Sequence, residues 1–166
     1  MADYSITAVT RRAVFTGSAG RGPYSFTFPV LAETDLAVYI DSTLKTRTTH
    51  WTATISASNG TGSITFDSSV TEPTSSNTIT IVGARALERT TDFVTAGDLL
   101  ASSLNTELDS QTIFNQQVSE DAARAIKAPV YDAADIDMTL PAKASRASKV
   151  LAFDSDGEPE TTVSST

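Results

Sequence analysis

The chain has 166 residues, enough for one domain of ordinary size plus an extension and too few for two full domains. Apolar residues make up 40% but charged residues only 19%, so Thr, Ser and Ala fill a surface that is polar without being highly charged. A formal net charge of -8 argues against phosphate-led nucleic-acid binding, which needs clustered Lys and Arg, and disfavours an anionic membrane surface.

Through roughly the first 85 residues, short runs alternate apolar and polar side chains and are separated by Gly, Pro, Asn and Asp, the pattern of half-buried strands. Tyr24, Phe26 and Phe28 share one face of a run opened by Gly22-Pro23 and ended by Pro29, with Ser25 and Thr27 on the other face. Leu36 to Ile40 reads as a second strand and Trp51 to Ile55 as a third, with a hairpin turn at Asp41-Ser42 between them. Asn59-Gly60-Thr61-Gly62 marks a tight turn before the alternating Ile64 and Phe66, and Thr78 to Val82 gives a further strand. These elements predict a compact antiparallel β-sandwich head over residues 1–96.

After Arg85 the period changes to helical spacing, with the boundary near Asp92 to Gly97. A helix is expected within residues 97–128. It starts between Asp98 and Ser103, where Asp98 and Ser102 are both candidate N-caps, and it ends before Pro129, which disfavours helical geometry at Ala128. Along it, Ala101, Leu104, Leu108, Gln111, Asn115, Val118, Ala122 and Ala125 follow steps of three and four, a short heptad seam with a polar layer at Gln111 and Asn115. The spacing admits two arrangements: self-association through the seam, or one amphipathic helix lying on its own sheet with those amides at the edge of the stripe. Residues 129–166 read as a small hairpin or linker around Val150 to Gly157, with a flexible or extended tail.

Reactive constellations are sparse. His50, the single histidine, has no cysteine or second histidine for a metal or catalytic set. No serine stands in a Gly-x-Ser-x-Gly elbow. The glycines of Thr16 to Gly22 lack the Gly-Lys-Ser/Thr ending of a phosphate loop. Asp154-x-Asp156-Gly157 reads as a β-turn rather than a calcium loop, and Asp132, Asp135 and Asp137 as a solvated face. No enzyme activity, cofactor or metal is expected. With no cysteine, stability has to come from packing or assembly. Met1 to Ser5 lack the features of a signal peptide and no run approaches a membrane span, so synthesis in a cytoplasm is expected.

The run Arg85-Ala86-Leu87-Glu88-Arg89-Thr90-Thr91-Asp92-Phe93, then Gly97-Asp98-Leu99-Leu100 and Ala101 to Asn105, joins a last strand to a helix in an unusual way. It resembles the N-terminal, tail-anchoring domain of tail fibre proteins from T7-like bacteriophages. The Tyr24-x-Phe26-x-Phe28 and Gly62-x-Ile64-Thr65-Phe66 strands are similar to that family too, and the likeness covers roughly residues 4–127. The run Arg146-x-x-Lys149-Val150-Leu151-Ala152-Phe153-Asp154-x-Asp156-Gly157 resembles short runs that recur in phage fibres after the anchor domain.

The resemblance implies a homotrimer in a virion tail. Its heads would dock on adaptor and nozzle proteins, and its helices would form a trimeric coiled coil through Leu104, Leu108, Gln111, Asn115, Val118 and Ala122. Arg85, Arg89, Asp92, Phe93 and Asn105 would form the head-to-helix junction, the arginines pairing with Asp92, with a partner's carboxylates, or within the chain. About 40 residues follow the helix, far fewer than a full fibre shaft and tip. Either a separate distal fibre or tailspike protein mounts on this chain as an adaptor, or the chain is the start of a longer fibre. A carbohydrate-binding β module with a helical oligomerisation stalk stays open beside this reading, as does a depolymerase fragment.

Overall fold

The computed structural model describes residues 4–89, 97, 100–133 and 135–163. Among the described residues the chain is mainly β, with three antiparallel sheets and one helix of 22 residues. It divides into two units, Met1–Ala123 and Arg124–Thr166.

In the first unit the strands are β1 (Arg12–Thr16), β2 (Tyr24–Phe26), β3 (Leu36–Ile40), β4 (Thr43–Lys45), β5 (Trp51–Ile55), β6 (Gly62–Phe66) and β7 (Thr78–Gly83). They form a four-stranded sheet in the order β1-β7-β3-β4 and a three-stranded sheet in the order β2-β6-β5. Both sheets feed one apolar cluster. Leu36, Val38 and Ile40 enter it from β3 and Ile79 and Ile81 from β7, while Tyr24, Phe26, Trp51, Ile64 and Phe66 enter from the smaller sheet. The alternation that puts them there is the one read in the sequence: Tyr24, Phe26 and Phe28 are buried and Ser25 and Thr27 exposed, although the strand itself stops at Phe26. Pairing holds the register, with Trp51 opposite Phe66 and Ala53 opposite Ile64. A one-residue slip would turn every one of these side chains to solvent.

The hairpin expected between Leu36–Ile40 and Trp51–Ile55 is different in the structure. Asp41-Ser42 turns β3 into the short strand β4, which pairs with it through Ile40 and Thr43, and β5 belongs to the other sheet. The three residues of β4 are too few to show an alternation. Strand β1 was not anticipated either; it pairs along its whole length with β7, from Arg12 opposite Val82 to Thr16 opposite Thr78. The tight turn at Asn59-Gly60 is present. Gly60 has a φ of +69°, and a Cβ there would meet the ring of Tyr4, so both the backbone conformation and the close approach require glycine.

Asp41 ties the β3–β4 turn to β7. Its Oδ1 accepts from the Thr78 amide at 2.8 Å and its Oδ2 from Asn77 Nδ2 at 2.9 Å, and these bonds hold its carboxyl below the ordinary 3.8. Because the folded-state value is depressed, this contribution is fully present above the unfolded value and is lost as pH falls through the folded one. The melting-temperature difference between the native protein and Asp41→Asn should therefore shrink as pH falls from neutral through and below the ordinary carboxylate range. A difference that is constant across that range would remove Asp41 from the acid sensitivity of the head.

The helix α1 (Ala101–Ala122) begins inside the expected window, with Leu100 at the N-cap position and no side-chain cap. Ser102 lies within its first turn, and Asp98 is outside the described residues. It ends at Ala122, before the expected Ala128. Residues 121–127 are all exposed, and a helix turn without a buried face has little beyond propensity to hold it.

In the second unit, a four-residue helix α2 (Lys143–Arg146) precedes a hairpin of β8 (Val150–Phe153) and β9 (Pro159–Thr162), with Phe153 opposite Pro159. Asp154 Oδ1 accepts from the amides of Asp156 and Glu158, both at 2.9 Å, and Gly157 has a φ of +82°, which makes this segment a turn.

Candidate functional site on helix α1

Helix α1 has two faces with different work. The one laid on the head carries Thr106, Ser110, Ile113 and Gln117, of which Ser110 and Ile113 are fully buried. The spacing is helical, but Ile113 is the sole large apolar side chain in that set. Ser110 satisfies its buried hydroxyl by donating to the Thr106 carbonyl at 2.7 Å. Polar side chains then fasten the face. Gln117 accepts the Arg85 amide on its Oε1 at 2.8 Å and donates from Nε2 to the Arg85 carbonyl at 3.0 Å, so one amide closes both backbone groups just beyond β7. Gln116 donates to the Thr7 carbonyl at 2.7 Å and accepts from Arg11 Nη1 at 3.3 Å.

Two arginines of the head underlie this joint. Arg85 pairs with Asp35, its Nη1 lying 3.0 Å from Oδ1 and 3.1 Å from Oδ2, and its guanidinium stands 6.0 Å from the centre of the Phe114 ring. Asp35 is 3% exposed, and its Oδ2 also accepts from the amides of Leu31 at 3.0 Å and Ala32 at 3.2 Å, so both carboxylate oxygens are hydrogen-bonded. Among the partners expected for Arg85, the one found is within the chain, and the pair is largely enclosed, with Asp35 buried and Arg85 part-buried, rather than a surface pair of little net worth. Arg11 is 1% exposed. It donates from Nη2 to the Pro29 carbonyl at 2.8 Å and lies over the Phe28 ring at 5.2 Å. Burial pushes its guanidinium down to about 10 against the opposing field of Asp35, which leaves it charged at neutral pH. Gly83 makes room for it, since a Cβ there would come within 2.6 Å of Arg11 Nε. Tyr4 closes the edge of the joint by donating to the Val30 carbonyl, and burial and then Asp109 raise its hydroxyl above the ordinary value.

The heptad set occupies the other side. At about 100° per residue, Leu104, Leu108, Gln111, Asn115, Val118 and Ala122 centre roughly opposite Thr106, Ser110, Ile113 and Gln117. All six are exposed, Leu108 at 57% and Val118 at 56%. The helix thus lies on its own head, as one of the two arrangements had it, but through a stripe other than the heptad stripe. Gln111 and Asn115 are not edge residues of the docked face; they are exposed, with Gln111 Nε2 donating to Glu107 at 3.2 Å.

Of the expected junction residues, Arg85 is in the joint, while Asn105 is exposed and borders a shallow depression with Tyr4, Leu108 and Asp109. Arg89 is exposed. Asp92 and Phe93 lie outside the described residues. Arg11, Asp35, Gln116 and Gln117 were missed by the reading of the sequence. Nothing in periodicity flags them, because a docking face of Thr, Ser and Gln carries almost no apolar signal.

His50 is half-buried beside Trp51, with its Nδ1 accepting the Thr46 amide at 2.8 Å. No group of three or more His, Cys, Asp or Glu is placed to hold a metal among the described residues, and no described helix is long and apolar enough to cross a membrane. No protein-family model matches the chain, and no curated protein matches it either.

Proposed function

We propose that the chain is a structural protein of a virion tail, a fibre anchor or adaptor that acts in attachment to the host. In this reading the head is an antiparallel sandwich that docks on the tail's adaptor and nozzle proteins. The α1 helices of three copies meet along a coiled-coil seam, and a separate distal fibre or tailspike protein is carried beyond them.

The observation that supports it most is the free seam. Helix α1 is held to the head by Ile113 and a row of polar side chains, and its heptad residues are left in solvent on the opposite side. A helix already docked spends little further conformational entropy on self-association, because its backbone is ordered beforehand. Full burial of Leu104, Leu108 and Val118 contributes roughly 1.5–3 kcal/mol each before entropic costs, repeated in every copy. Gln111 and Asn115 in mid-seam suit a layer that sets register and strand number. The likeness of the strand-to-helix junction to phage tail fibre anchors supplies the biological setting.

Sedimentation of the full chain tests the assembly: a trimer is expected at micromolar concentration, and Leu104→Asp with Leu108→Asp should convert it to a folded monomer. A native chain that sediments as a monomer and does not respond to these changes would sink the trimeric helix. The setting is tested by the neighbouring genes, which should encode tail tube and nozzle proteins. Specific glycan binding by the full chain, without such neighbours, would favour the carbohydrate-binding module instead.

A further inference from the structure

Among its described residues, the second unit has a hairpin and a turn but no buried core. None of its described residues is buried, and Val130, Tyr131, Leu151 and Phe153 all stand exposed. A lone two-stranded hairpin is marginal in water, and chains of about 40 residues ordinarily need disulfides, a metal or oligomerisation to fold. The chain has no cysteine, and no metal-holding group occurs among the described residues. Oligomerisation is a device that would meet this need.

Two surfaces of this unit are complementary. One is a groove of about 760 Å³ whose apolar lining includes Ile136, Met138 and Phe153 and whose acidic lining includes Asp132, Asp135 and Asp156, against a single lysine, Lys127. The other is the basic segment Lys143, Arg146 and Lys149, on and just after α2, exposed throughout. Lys149 is fixed beside Arg146 by its amide, which donates to the Arg146 carbonyl at 3.2 Å, with Ser148 at a φ of +60° turning the chain into β8. None of these three cations is in an ion pair such as those of Arg21, Arg47 and Arg85 among the described residues. Unlike charges on two different patches of one unit are what a cyclic, head-to-tail interface requires, since there patch one of each copy meets patch two of the next.

We infer that the C-terminal units of neighbouring copies associate head to tail, the Lys143–Lys149 segment of one seating on the acidic, apolar-lined groove of the next. This rests on the proposed self-association through α1, which raises the local concentration of the C-terminal units.

The absence of cysteine makes cross-linking a clean test. Full-length Arg146→Cys and Asp135→Cys chains, mixed before assembly and oxidised, should yield a disulfide-linked dimer that neither chain forms alone. Adding Lys143→Glu and Lys149→Glu to the first chain should cut the yield about tenfold, as like charges then face each other. Adding Asp132→Lys and Asp156→Lys to the second should restore it. An intact trimer by sedimentation with no mixed cross-link overturns this inference alone and leaves the groove to another protein, such as a distal fibre. Equal linking in each chain by itself would also overturn it, since that is a symmetric contact. A monomer with no cross-link overturns both this inference and the trimeric seam.

Discussion

Asp35→Ala is expected to be among the most damaging single changes in the protein, at about 3–5 kcal/mol, because it leaves a buried charge without its partner. The loss has two sources. Arg85 would keep its guanidinium in a largely enclosed site where its Nε already has no partner, and the amides of Leu31 and Ala32 would lose the oxygen that caps them. Against a typical total of about 5–15 kcal/mol, that is a large part of the stability of the head. The damage should reach the helix, since Arg85 also presents its backbone to Gln117 and its guanidinium to Phe114. Urea unfolding followed by Trp51 fluorescence should show the shifted midpoint, and far-UV circular dichroism should show helix lost at lower urea than strand. Asp35→Asn, which keeps an acceptor oxygen without the charge, should fall between the two. If Asp35→Ala cost under about 1 kcal/mol, the pair would be worth no more than one on the surface.

Trp51→Ala should cost about 3–5 kcal/mol through a different mechanism, the cavity left when the largest core side chain is removed. Trp51 is 1% exposed, stands opposite Phe66 across the β5–β6 pairing, and donates from Nε1 to the Lys45 carbonyl at 2.9 Å. That bond fastens the end of β4, in one sheet, to the start of β5, in the other. Trp51→Phe keeps most of the apolar volume and loses the donor, so its cost should be smaller, on the order of 1–3 kcal/mol. Thermal unfolding by circular dichroism measures both, as the variants have no tryptophan to report by fluorescence. Equal losses for the two variants would place the effect in the hydrogen bond rather than in packing.

Much of the head was legible before folding because its strands are half-buried. Period-two alternation placed β3 and β5 at their observed ends and put Tyr24, Phe26, Ile64 and Phe66 in the core. β1 was missed because its inward residues, Ala13 and Phe15, are only partly buried and share the strand with Arg12 and Thr16. β4 was missed because three residues carry no period. The pairing was out of reach for another reason. Asp41-Ser42 does turn the chain, but whether the next strand continues in the same sheet depends on contacts with β7 far along the sequence.

The helix shows the same division more sharply. Spacing in the sequence is enough to mark Leu104, Leu108, Gln111, Asn115, Val118 and Ala122 as one stripe, because apolar residues at steps of three and four are a local pattern. That the helix also docks, and through which side, belongs to the folded head alone. The docking stripe is polar, and Ser110, Gln116 and Gln117 become fasteners only when the head sets the Thr7 carbonyl, the Arg85 backbone and the Arg11 guanidinium in front of them. Hydrophobic patterning is written residue by residue along the chain, whereas a hydrogen-bonded joint exists only between groups that folding has brought together.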